Sequence, residues 1–282
     1  MTRILLLSDI HLSPTHGFFW DNWRLARDAA NAAKPHAVII NGDLAINGPD
    51  SDEEMEFAAA ALKRLDGHVV ALPGNHDVGD EPPGQDAHQL INEARLSRWD
   101  RTIGPDHFLL DIDHWRLIGV NAQLFGSGLP HEIEQNSWLD ATLANAGEKS
   151  IALFLHKPLF LETADEAGAS PASIVPLARP ALLDRLTRAN VKLVVSGHLH
   201  QHRDREIGGI RYLWAPAIAF AAPHDHGGDP ACGWLTLDFD ENTVEVAVER
   251  PEGLASHDLA AIKQHGRYPF LRDMPPSPPP AD

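Results

Sequence analysis

Five short apolar segments, each followed at once by polar side chains, constrain the fold of this chain more than any other feature. Each segment is too short for a stable helix and is dominated by aliphatic residues, which predicts a buried β-strand. Helical patterns lie between most of them, and this alternation predicts an α/β protein with one continuous core and early strands that pair in parallel. The five segments are residues 4–7, 38–40, 69–72, 151–155 and 193–195.

The remaining elements follow from local signals. Residues 20–33 place Trp23 and several alanines on one face of a helix, and Ser51-x-x-Glu54 is a capping-box pattern that opens a helix to Leu65. Segments after residue 208 predict antiparallel strands, hence a mixed sheet or a second sheet packed on the first. The other expected elements are a strand over 115–121, helices over about 86–99, 134–146 and 180–189, a loop over 162–178, and late strands over 210–214, 233–239 and 243–249.

The charge balance limits the partners. The 282 residues include 23 basic and 40 acidic side chains, a formal net charge of −17, and contain no basic run. Because nucleic-acid binders usually collect phosphates on a basic patch, we expect no polymeric nucleic acid as a partner. A small phosphate ester remains compatible with this charge, since bound cations reverse the local field.

Signals for a cellular compartment are few. Cys232 is the one cysteine, so no intramolecular disulfide can form, which fits a reducing compartment. No stretch approaches the roughly 20 apolar residues that a transmembrane helix needs, and residues 4–7 are too few for a secretory signal. We therefore expect a cytoplasmic protein with no membrane span.

Side chains with ligand chemistry stand directly after all five apolar segments. In α/β sheets, ligands bind beyond the carboxyl ends of the strands, so these clusters would converge if the five strands were neighbours in one sheet. The side chains are those of Asp9 and His11, Asp43, Asn75 with His76 and Asp77, His156, and His198 with His200.

These residue types predict a metal centre. Carboxylate, imidazole and amide groups suit manganese, iron or zinc, and no thiolate is among them. The candidate groups exceed what one four-coordinate ion needs and match two cations that share a bridging carboxylate. Gly42, Gly74 and Gly197 each precede a candidate ligand, where a glycine would allow a tight turn or a close approach of the backbone to a phosphate.

Taken in order, the motifs resemble those of the calcineurin-like metallophosphoesterase superfamily. The match runs from about residue 3 to residue 200, and the hairpin region to about residue 250 is also similar. The resemblance implies an α/β fold, a four-layer α/β/β/α sandwich of two mixed sheets, with two metal ions about 3–4 Å apart. The motifs are Asp9-x-His11, Gly42-Asp43, Gly74-Asn75-His76-Asp77, His156 and Gly197-His198-x-His200.

The resemblance also implies a role for each matching residue. A hydroxide held by the two cations would attack phosphorus in line with the leaving group. His76 would face the substrate phosphate, where it stabilises charge or protonates the leaving oxygen. One metal ion would take Asp9, His11, His200 and Asp43, and the other would take Asn75, His156, His198 and again Asp43, which is thus the bridge.

One departure from the superfamily narrows the assignment. Protein Ser/Thr phosphatases carry Gly-Asp-x-x-Asp-Arg-Gly, in which the second Asp supports the catalytic histidine. In this chain residues 42–48 place Ile46 at that position, and no Arg follows. We therefore expect no protein phosphatase, and the closer resemblance is to bacterial class III cyclic-nucleotide phosphodiesterases and glycerophosphodiesterases.

Several segments leave a choice between a functional and a structural role. Aromatic side chains after the first ligands either wall the substrate pocket or pack in the core. Two amides after the strand over 115–121 either line the same crevice or cap the next loop. Residues 162–178 are a lid or a surface loop, and residues 223–229 approach the site or form a solvated turn. The aromatic set is His16, Phe18, Phe19 and Trp20, and the amides are Asn121 and Gln123.

The predicted function is hydrolysis of a small phosphodiester, similar to a cyclic nucleotide or a glycerophosphodiester, at a binuclear Fe/Mn or Zn centre. A phosphomonoesterase of the same superfamily is the alternative. A non-enzymatic interaction scaffold of the same fold is favoured less, because neither His76 nor any metal ligand is missing. The predicted catalytic domain covers residues 1–250, followed by an extension over 251–282 that ends in a Pro-rich tail and leaves a homo-oligomer open.

Overall fold

The computed structural model describes residues 1–82, 84, 87–168, 170–222, 224–258 and 276–280. None of the helices in this part of the chain is both long and apolar enough to cross a membrane. The strands are β1 (Thr2–Leu7), β2 (Ala37–Asn41), β3 (Val69–Leu72), β4 (Phe108–Ile112), β5 (Trp115–Val120), β6 (Ser150–Leu155), β7 (Val191–Ser196), β8 (Arg203–Ile207), β9 (Ile210–Trp214), β10 (Trp234–Phe239) and β11 (Val244–Glu249). The α-helices are α1 (Trp20–Ala33), α2 (Asp52–Leu62), α3 (Asn75–Val78), α4 (Glu93–Thr102), α5 (Pro130–Ala144) and α6 (Arg179–Arg188).

The strands form two mixed sheets. In the first, β1, β2 and β3 pair in parallel, and β10 and β11 extend the sheet with antiparallel pairing, in the order β11-β10-β1-β2-β3. In the second, β5, β6, β7 and β9 are parallel, and β4 and β8 pair antiparallel at the two edges, in the order β4-β5-β6-β7-β9-β8.

Alternation along the strands distributes apolar side chains among three buried clusters. Ile4 and Leu6 of β1 belong to the cluster between the sheets, together with Phe154 of β6. The intervening residues of β1 pack instead with Trp23 of α1, and Leu139 of α5 packs on the outer face of the second sheet. Because successive side chains of a strand point to opposite faces, each sheet is covered on both sides. The predicted four-layer α/β/β/α sandwich is thereby confirmed.

The five strands that carry the candidate ligands do not share one sheet, so the condition under which the clusters were expected to converge is not met. β1, β2 and β3 belong to the first sheet, whereas β6 and β7 belong to the second. The apolar segments of β1, β2, β6 and β7 are buried on both faces and β3 is partly buried, so all five have similarly apolar sequences. Hydrophobicity consequently gives no signal for which sheet a strand joins.

Two strands and several helix boundaries also differ from expectation. Neither β4 nor β8 was expected, and the polar residues of β8, Arg-Asp-Arg-Glu-Ile, are tolerated because an edge strand pairs on one side only. The helix expected over 134–146 begins at Pro130, and the helix expected to end at Leu65 ends at Leu62. The helix expected over 86–99 begins instead at Glu93, where the Asn92 side chain accepts a hydrogen bond from the Arg95 N–H at 3.0 Å. Residue 86 itself lies outside the described residues.

The chain after β11 returns to the core at Asn22. This side chain is buried in α1, and its Nδ2 donates to the carbonyls of Ile218 and Ala255 at 2.7 Å each. Its Oδ1 accepts from the Ala255 N–H at 2.9 Å. One amide thus fastens the segment after β11 to the loop before β10.

The Pro-rich tail contacts the loop that follows β1. Ser277 donates its N–H to the Thr15 carbonyl at 2.8 Å and accepts from the Gly17 N–H at 2.7 Å. A Cβ on Gly17 would lie 2.7 Å from the backbone of Pro279, so the contact requires glycine. Residues 259–275 and 281–282 of the predicted extension lie outside the described residues, and a domain boundary at residue 250 stays a prediction.

Replacing Asn22 by alanine should lower the free energy of unfolding by about 2–4 kcal/mol, because buried backbone groups lose their partners. Urea denaturation measures the change. Asn31→Ala is the matched control, since Asn31 lies on the same helix and contacts the backbone of Arg64 and Asp66 where water can replace it. The control should change stability by less than about 1 kcal/mol. Equal free energies of unfolding for the two variants would contradict the role of Asn22 in fastening the segment after β11.

Candidate metal centre

Side chains that follow β1, β2, β3, β6 and β7 meet in one cluster, although these strands belong to two sheets. Within each of three groups, the ligand atoms lie within 4.8 Å of one another. The cluster is continuous, because two of its members each occur in two groups. The groups are Asp9 with His11 and His200, His11 with Asp43 and His76, and Asp43 with His156 and His198.

The first group surrounds the carboxylate of Asp9, which is fully buried. Its Oδ1 lies 3.2 Å from His200 Nε2, which in turn lies 3.3 Å from His11 Nε2. Its Oδ2 accepts from the Ser8 hydroxyl at 2.5 Å and from the His198 N–H at 3.1 Å. These donors hold the carboxylate in one orientation, with the other oxygen toward the imidazoles.

Asp43 lies at the centre of the cluster. Its Oδ2 is 3.3 Å from His156 Nε2 and 3.7 Å from His11 Nε2. Its Oδ1 accepts from the His76 N–H at 2.8 Å. One carboxylate oxygen therefore lies between histidines of the first and third groups, which is the position expected of a bridging ligand.

Backbone carbonyls fix the tautomers of four histidines. In each, one ring nitrogen lies within hydrogen-bond distance of a carbonyl oxygen, which can only accept. That nitrogen carries the proton, and the other ring nitrogen is available as a lone pair. The pairs are His76 Nδ1 with Ile46 (2.9 Å), His156 Nδ1 with Asn41 (2.8 Å), His200 Nδ1 with Phe220 (2.9 Å) and His198 Nε2 with Pro171 (2.8 Å).

Buried charges in the cluster favour a cation. Burial opposes ionisation of Asp9, but His200 and His156 outweigh it and lower the pKa of Asp9 to about 2. Burial also opposes protonation of His156, whereas Asp43 and Asp9 raise its pKa to about 9. Carboxylates and a neighbouring imidazole thus demand positive charge between them, and a metal ion meets that demand as a proton does.

A buried lone pair tests whether a metal ion fits. Asn75 Oδ1 is buried and has no hydrogen-bond partner among the described residues. An unsatisfied buried polar group costs about 1–3 kcal/mol, which coordination to a cation would remove. The donor set of carboxylate, imidazole and amide oxygen suits manganese, iron or zinc. The residues present therefore fit a metal centre.

Glycine precedes three ligands because there is no room for a side chain. The sequence suggested a turn or an approach to phosphate, but the close neighbour in each case belongs to the cluster or supports it. At these distances an added Cβ would displace the neighbouring group. A Cβ would lie 2.3 Å from His156 Nδ1 on Gly42, 2.1 Å from Asp43 Oδ1 on Gly74, and 2.1 Å from Ser8 Oγ on Gly197.

The backbone is strained at most of the ligands. Seven described non-glycine residues have positive φ, and five of these are candidate ligands. Such conformations cost about 1–3 kcal/mol each and cluster at functional sites. The sequence gives no signal of this strain at histidine. The five are Asp9, His11, Asp43, His198 and His200, with φ between 50° and 68°, and the other two are Lys34 and Asp113.

Asp77, to which the sequence assigned no role, ties two ligand loops together. Its Oδ1 accepts from the N–H groups of Leu44 and Ala45 at 2.9 and 3.1 Å, and its Oδ2 accepts from the Gly74 N–H at 2.8 Å. Burial and the neighbouring charge of Asp43 raise the pKa of Asp77 to about 7. This side chain fixes the loop of Asn75 against the loop of Asp43.

The Ile46 position explains how His76 is supported without a second Asp. The Ile46 side chain is buried, and its backbone carbonyl accepts from His76 Nδ1 at 2.9 Å. A main-chain oxygen at this position therefore orients the His76 ring. His76 itself is half-buried, in contrast to the buried candidate ligand His156.

The structure resolves most of the alternatives that the sequence left open. Phe19 and Trp20 are 3% and 5% exposed and pack on Phe220 and Phe57, so they belong to the core. Of residues 162–178, those that the structure describes (all but 169) form a loop before α6, and the Pro171 carbonyl orients His198. The loop over 223–229, whose residue 223 lies outside the described part, is held by Gln201, the residue after His200.

The two amides have different roles. Asn121 Oδ1 caps the next turn by accepting from the Gln123 N–H at 3.0 Å. The Gln123 side chain reaches the site, where its oxygen accepts from the Asn75 N–H at 3.0 Å and its nitrogen donates to Glu81 Oε2 at 2.6 Å. Lys157 lies beside them and was missed, because no motif marks a lysine that follows a strand as buried.

Gly74→Ala should weaken metal binding at least about 100-fold, because its Cβ would displace the Asp43 carboxylate while its φ of −105° tolerates alanine. Calorimetric titration of the metal-free protein with Mn²⁺ measures the change. Gly147→Ala is the control, since its Cβ would meet nothing within 4 Å and its φ is +62°. The control should lose only about 1 kcal/mol of stability. Unchanged metal affinity in Gly74→Ala would contradict the placement of Asp43.

Comparison with known proteins agrees with this geometry. The family model described as Calcineurin-like phosphoesterase matches residues 2–202. Serine/threonine-protein phosphatase CPPED1 from Danio rerio is 31% identical over 206 residues, which cover 69% of this chain and 63% of that protein, less than two thirds of its length. The 3',5'-cyclic adenosine monophosphate phosphodiesterase CpdA from Escherichia coli K12 is 28% identical over 267 residues, which cover 88% and 89%.

A solved structure supports the fold independently. A dimetal phosphatase from Danio rerio superposes with a TM-score of 0.60 at 15% identity, over 88% of this chain and 95% of that one. Because the relatives carry both phosphatase and phosphodiesterase names, the argument from Ile46 against a protein phosphatase stays a prediction. The chain belongs to the calcineurin-like phosphoesterase family.

Proposed function

We propose that this enzyme hydrolyses small phosphodiesters at a centre of two divalent cations. Asp43 would bind both cations, and His76 would face the substrate. One cation would be held by Asp9, His11 and His200, and the other by Asn75, His156 and His198.

The position of Asp43 carries this proposal. Its Oδ2 lies between His156 Nε2 and His11 Nε2, at 3.3 and 3.7 Å, so one carboxylate faces the histidines of both ligand groups. The unpartnered buried Oδ1 of Asn75 adds a ligand on the side of His156. A single four-coordinate ion would leave several of these donors without a partner.

The chemistry divides between the cations and the protein. Divalent cations in such a centre offset charge on the phosphoryl oxygens and lower the pKa of water. Asp9 and Asp43 hold the ligand geometry, with Asp9 fixed by Ser8. His76, whose Nδ1–H donates to the Ile46 carbonyl, would give a proton from Nε2 to the leaving oxygen in the form of the ring that is protonated on both nitrogens.

A diester fits the charge of the site better than a monoester. A phosphodiester carries one negative charge, whereas a phosphomonoester carries up to two near neutral pH and asks for more positive charge in its site. Lys157, which follows the ligand His156, has its ammonium 2.5–2.9 Å from the carboxylates of Asp80 and Glu81. It therefore balances those carboxylates rather than the substrate. The name of the Escherichia coli relative also favours a diester.

Phosphomonoester hydrolysis is the second candidate. The CPPED1 relatives are named serine/threonine-protein phosphatases, and they share about 30% identity with this chain. The two candidates use the same metal centre and differ in the charge and size of the ester.

Enzyme loaded with Mn²⁺ should hydrolyse bis-p-nitrophenyl phosphate with a kcat/KM at least about 10-fold above that for p-nitrophenyl phosphate, a difference of about 1.4 kcal/mol in transition-state stabilisation. Release of p-nitrophenolate measures both rates. Removal of metal by EDTA should abolish activity, and added Mn²⁺ should restore it. A preference for the monoester would establish the second candidate, and no metal-dependent hydrolysis of either ester would contradict both.

His76→Ala should lower kcat by about 10²–10⁴ for a diester with an alkoxide leaving group, such as glycerophosphoethanolamine, and much less for bis-p-nitrophenyl phosphate, whose leaving group needs no proton. Metal content should not change, since His76 is not proposed as a ligand.

His107→Ala is the control for this variant, because His107 contacts Asp106 and Trp138 away from the cluster. It should retain full activity on both diesters. An equal loss for both leaving groups in His76→Ala would contradict proton donation and leave only charge stabilisation. Loss of metal from His76→Ala would instead make His76 a ligand.

A further inference from the structure

A fully buried lysine lies next to one proposed ligand. Lys157 follows His156 at the end of β6 and has no solvent exposure. Its Nζ donates to Asp80 Oδ1 at 2.5 Å and to both oxygens of Glu81 at 2.9 and 2.8 Å. All three charged side chains are buried, so their contacts are not screened by solvent.

The two carboxylates belong to the segment that carries Asn75 and His76. Asp80 and Glu81 come directly after α3 and the Gly79 that ends it. Glu81 Oε2 also accepts from the Gln123 side chain at 2.6 Å, and Gln123 accepts from the Asn75 N–H at 3.0 Å. A continuous path of short polar contacts therefore runs from Lys157 to the backbone of a proposed ligand.

This path joins the two sheets at the metal centre. His156 and Lys157 extend β6 of the second sheet, whereas Asn75 and Asp80 follow β3 of the first. Apolar side chains fill most of the space between the two sheets and pack without fixing a direction, whereas polar contacts such as that of His156 Nδ1 with the Asn41 carbonyl fix the sheets near the cluster. A lysine held by three short donor contacts fixes position and direction at once.

Energetics favour a positioning role over a stabilising one. Burying a charge triad costs desolvation free energy that its attraction often fails to recover, and apolar replacements of similar volume are frequently as stable. A buried lysine with two carboxylates is therefore poor support for stability alone. Its contacts with the segments of Asn75 and His156 give it a geometric use.

We propose that Lys157, with Asp80, Glu81 and Gln123, is a brace that sets the separation of Asn75 and His156 and so shapes the second cation site. This inference rests on the ligand set proposed above. Lys157 is a positioning residue, because it contacts the loops that carry ligands and not the substrate. The contacts of Lys157, Glu81 and Gln123 given above lead to the segments of Asn75 and His156, whereas the first site, of Asp9, His11 and His200, is carried by the loops after β1 and β7.

For Lys157→Met, the brace and simple electrostatics predict changes of opposite sign in the affinity of the second site for a metal ion. Removing a positive charge near a cation site should by itself tighten metal binding. Loss of the brace should weaken the second site at least 10-fold and leave the first within about threefold. Titration of metal-free protein with Mn²⁺ by calorimetry resolves the two sites, and metal analysis of the purified protein gives the stoichiometry.

Gln123→Leu breaks the same path without changing charge, so it tests the brace even if Lys157→Met does not fold. It should also lower the metal affinity of the second site selectively. Gln135→Leu is the matched control, because Gln135 is equally buried and binds the N–H and the carbonyl of Asn121 at 2.7 and 3.0 Å. The control should lose a comparable thermal stability and keep both metal sites.

The outcomes separate the brace from the proposed function. Wild-type protein that binds fewer than two Mn²⁺ ions overturns the proposed centre, and the brace with it. Wild-type protein that binds two, together with a Gln123→Leu variant that binds both with unchanged affinity, overturns the brace alone. If Gln123→Leu and Gln135→Leu weaken metal binding at both sites to the same extent, Gln123 has only a general structural role. That result also overturns the brace.

Discussion

The rest of the site depends on the contacts that the Asp43 carboxylate makes with histidines of both sheets. This carboxylate comes from the first sheet, yet its Oδ2 faces His156 of the second sheet at 3.3 Å and His11 of its own sheet at 3.7 Å. Its Oδ1 accepts from the His76 N–H, so the same group positions the residue proposed to face the substrate. A buried carboxylate among lone pairs of histidine and amide is stable only with positive charge beside it.

The local structure of the loops follows from bringing these groups so close together. Gly42, Gly74 and Gly197 provide the space, since a Cβ at any of them would lie within 2.3 Å of the cluster or its support. The left-handed backbone at five ligands adds a cost that the packed sheets must sustain. The conformation of these loops therefore lowers the free energy of unfolding, and packing of the apolar clusters on both faces of each sheet offsets that loss.

The sequence predicted the chemistry of the site better than the arrangement of the strands. Asp9, Asp43 and the histidines were recognisable because each stands after an apolar run, and strand ends collect at one place in α/β proteins. The sequence did not indicate that those strands are divided between two sheets, because β2 of the first sheet and β6 of the second are similarly apolar. Gln123 was one of the two amides expected either to line the crevice or to cap the next loop, and it reaches the site. Lys157 was not predictable as part of the site, since burial of an isolated polar residue depends on distant partners such as Glu81.

Diffraction from zinc-soaked crystals at the zinc absorption edge would show directly whether Asp43 bridges two cations. We expect two anomalous peaks, each about 2.0–2.2 Å from an oxygen of Asp43. One peak should also be bound by Asp9, His11 and His200, and the other by Asn75, His156 and His198. A single peak, or two peaks of which only one contacts Asp43, would contradict the bridging role from which the rest of the account is built.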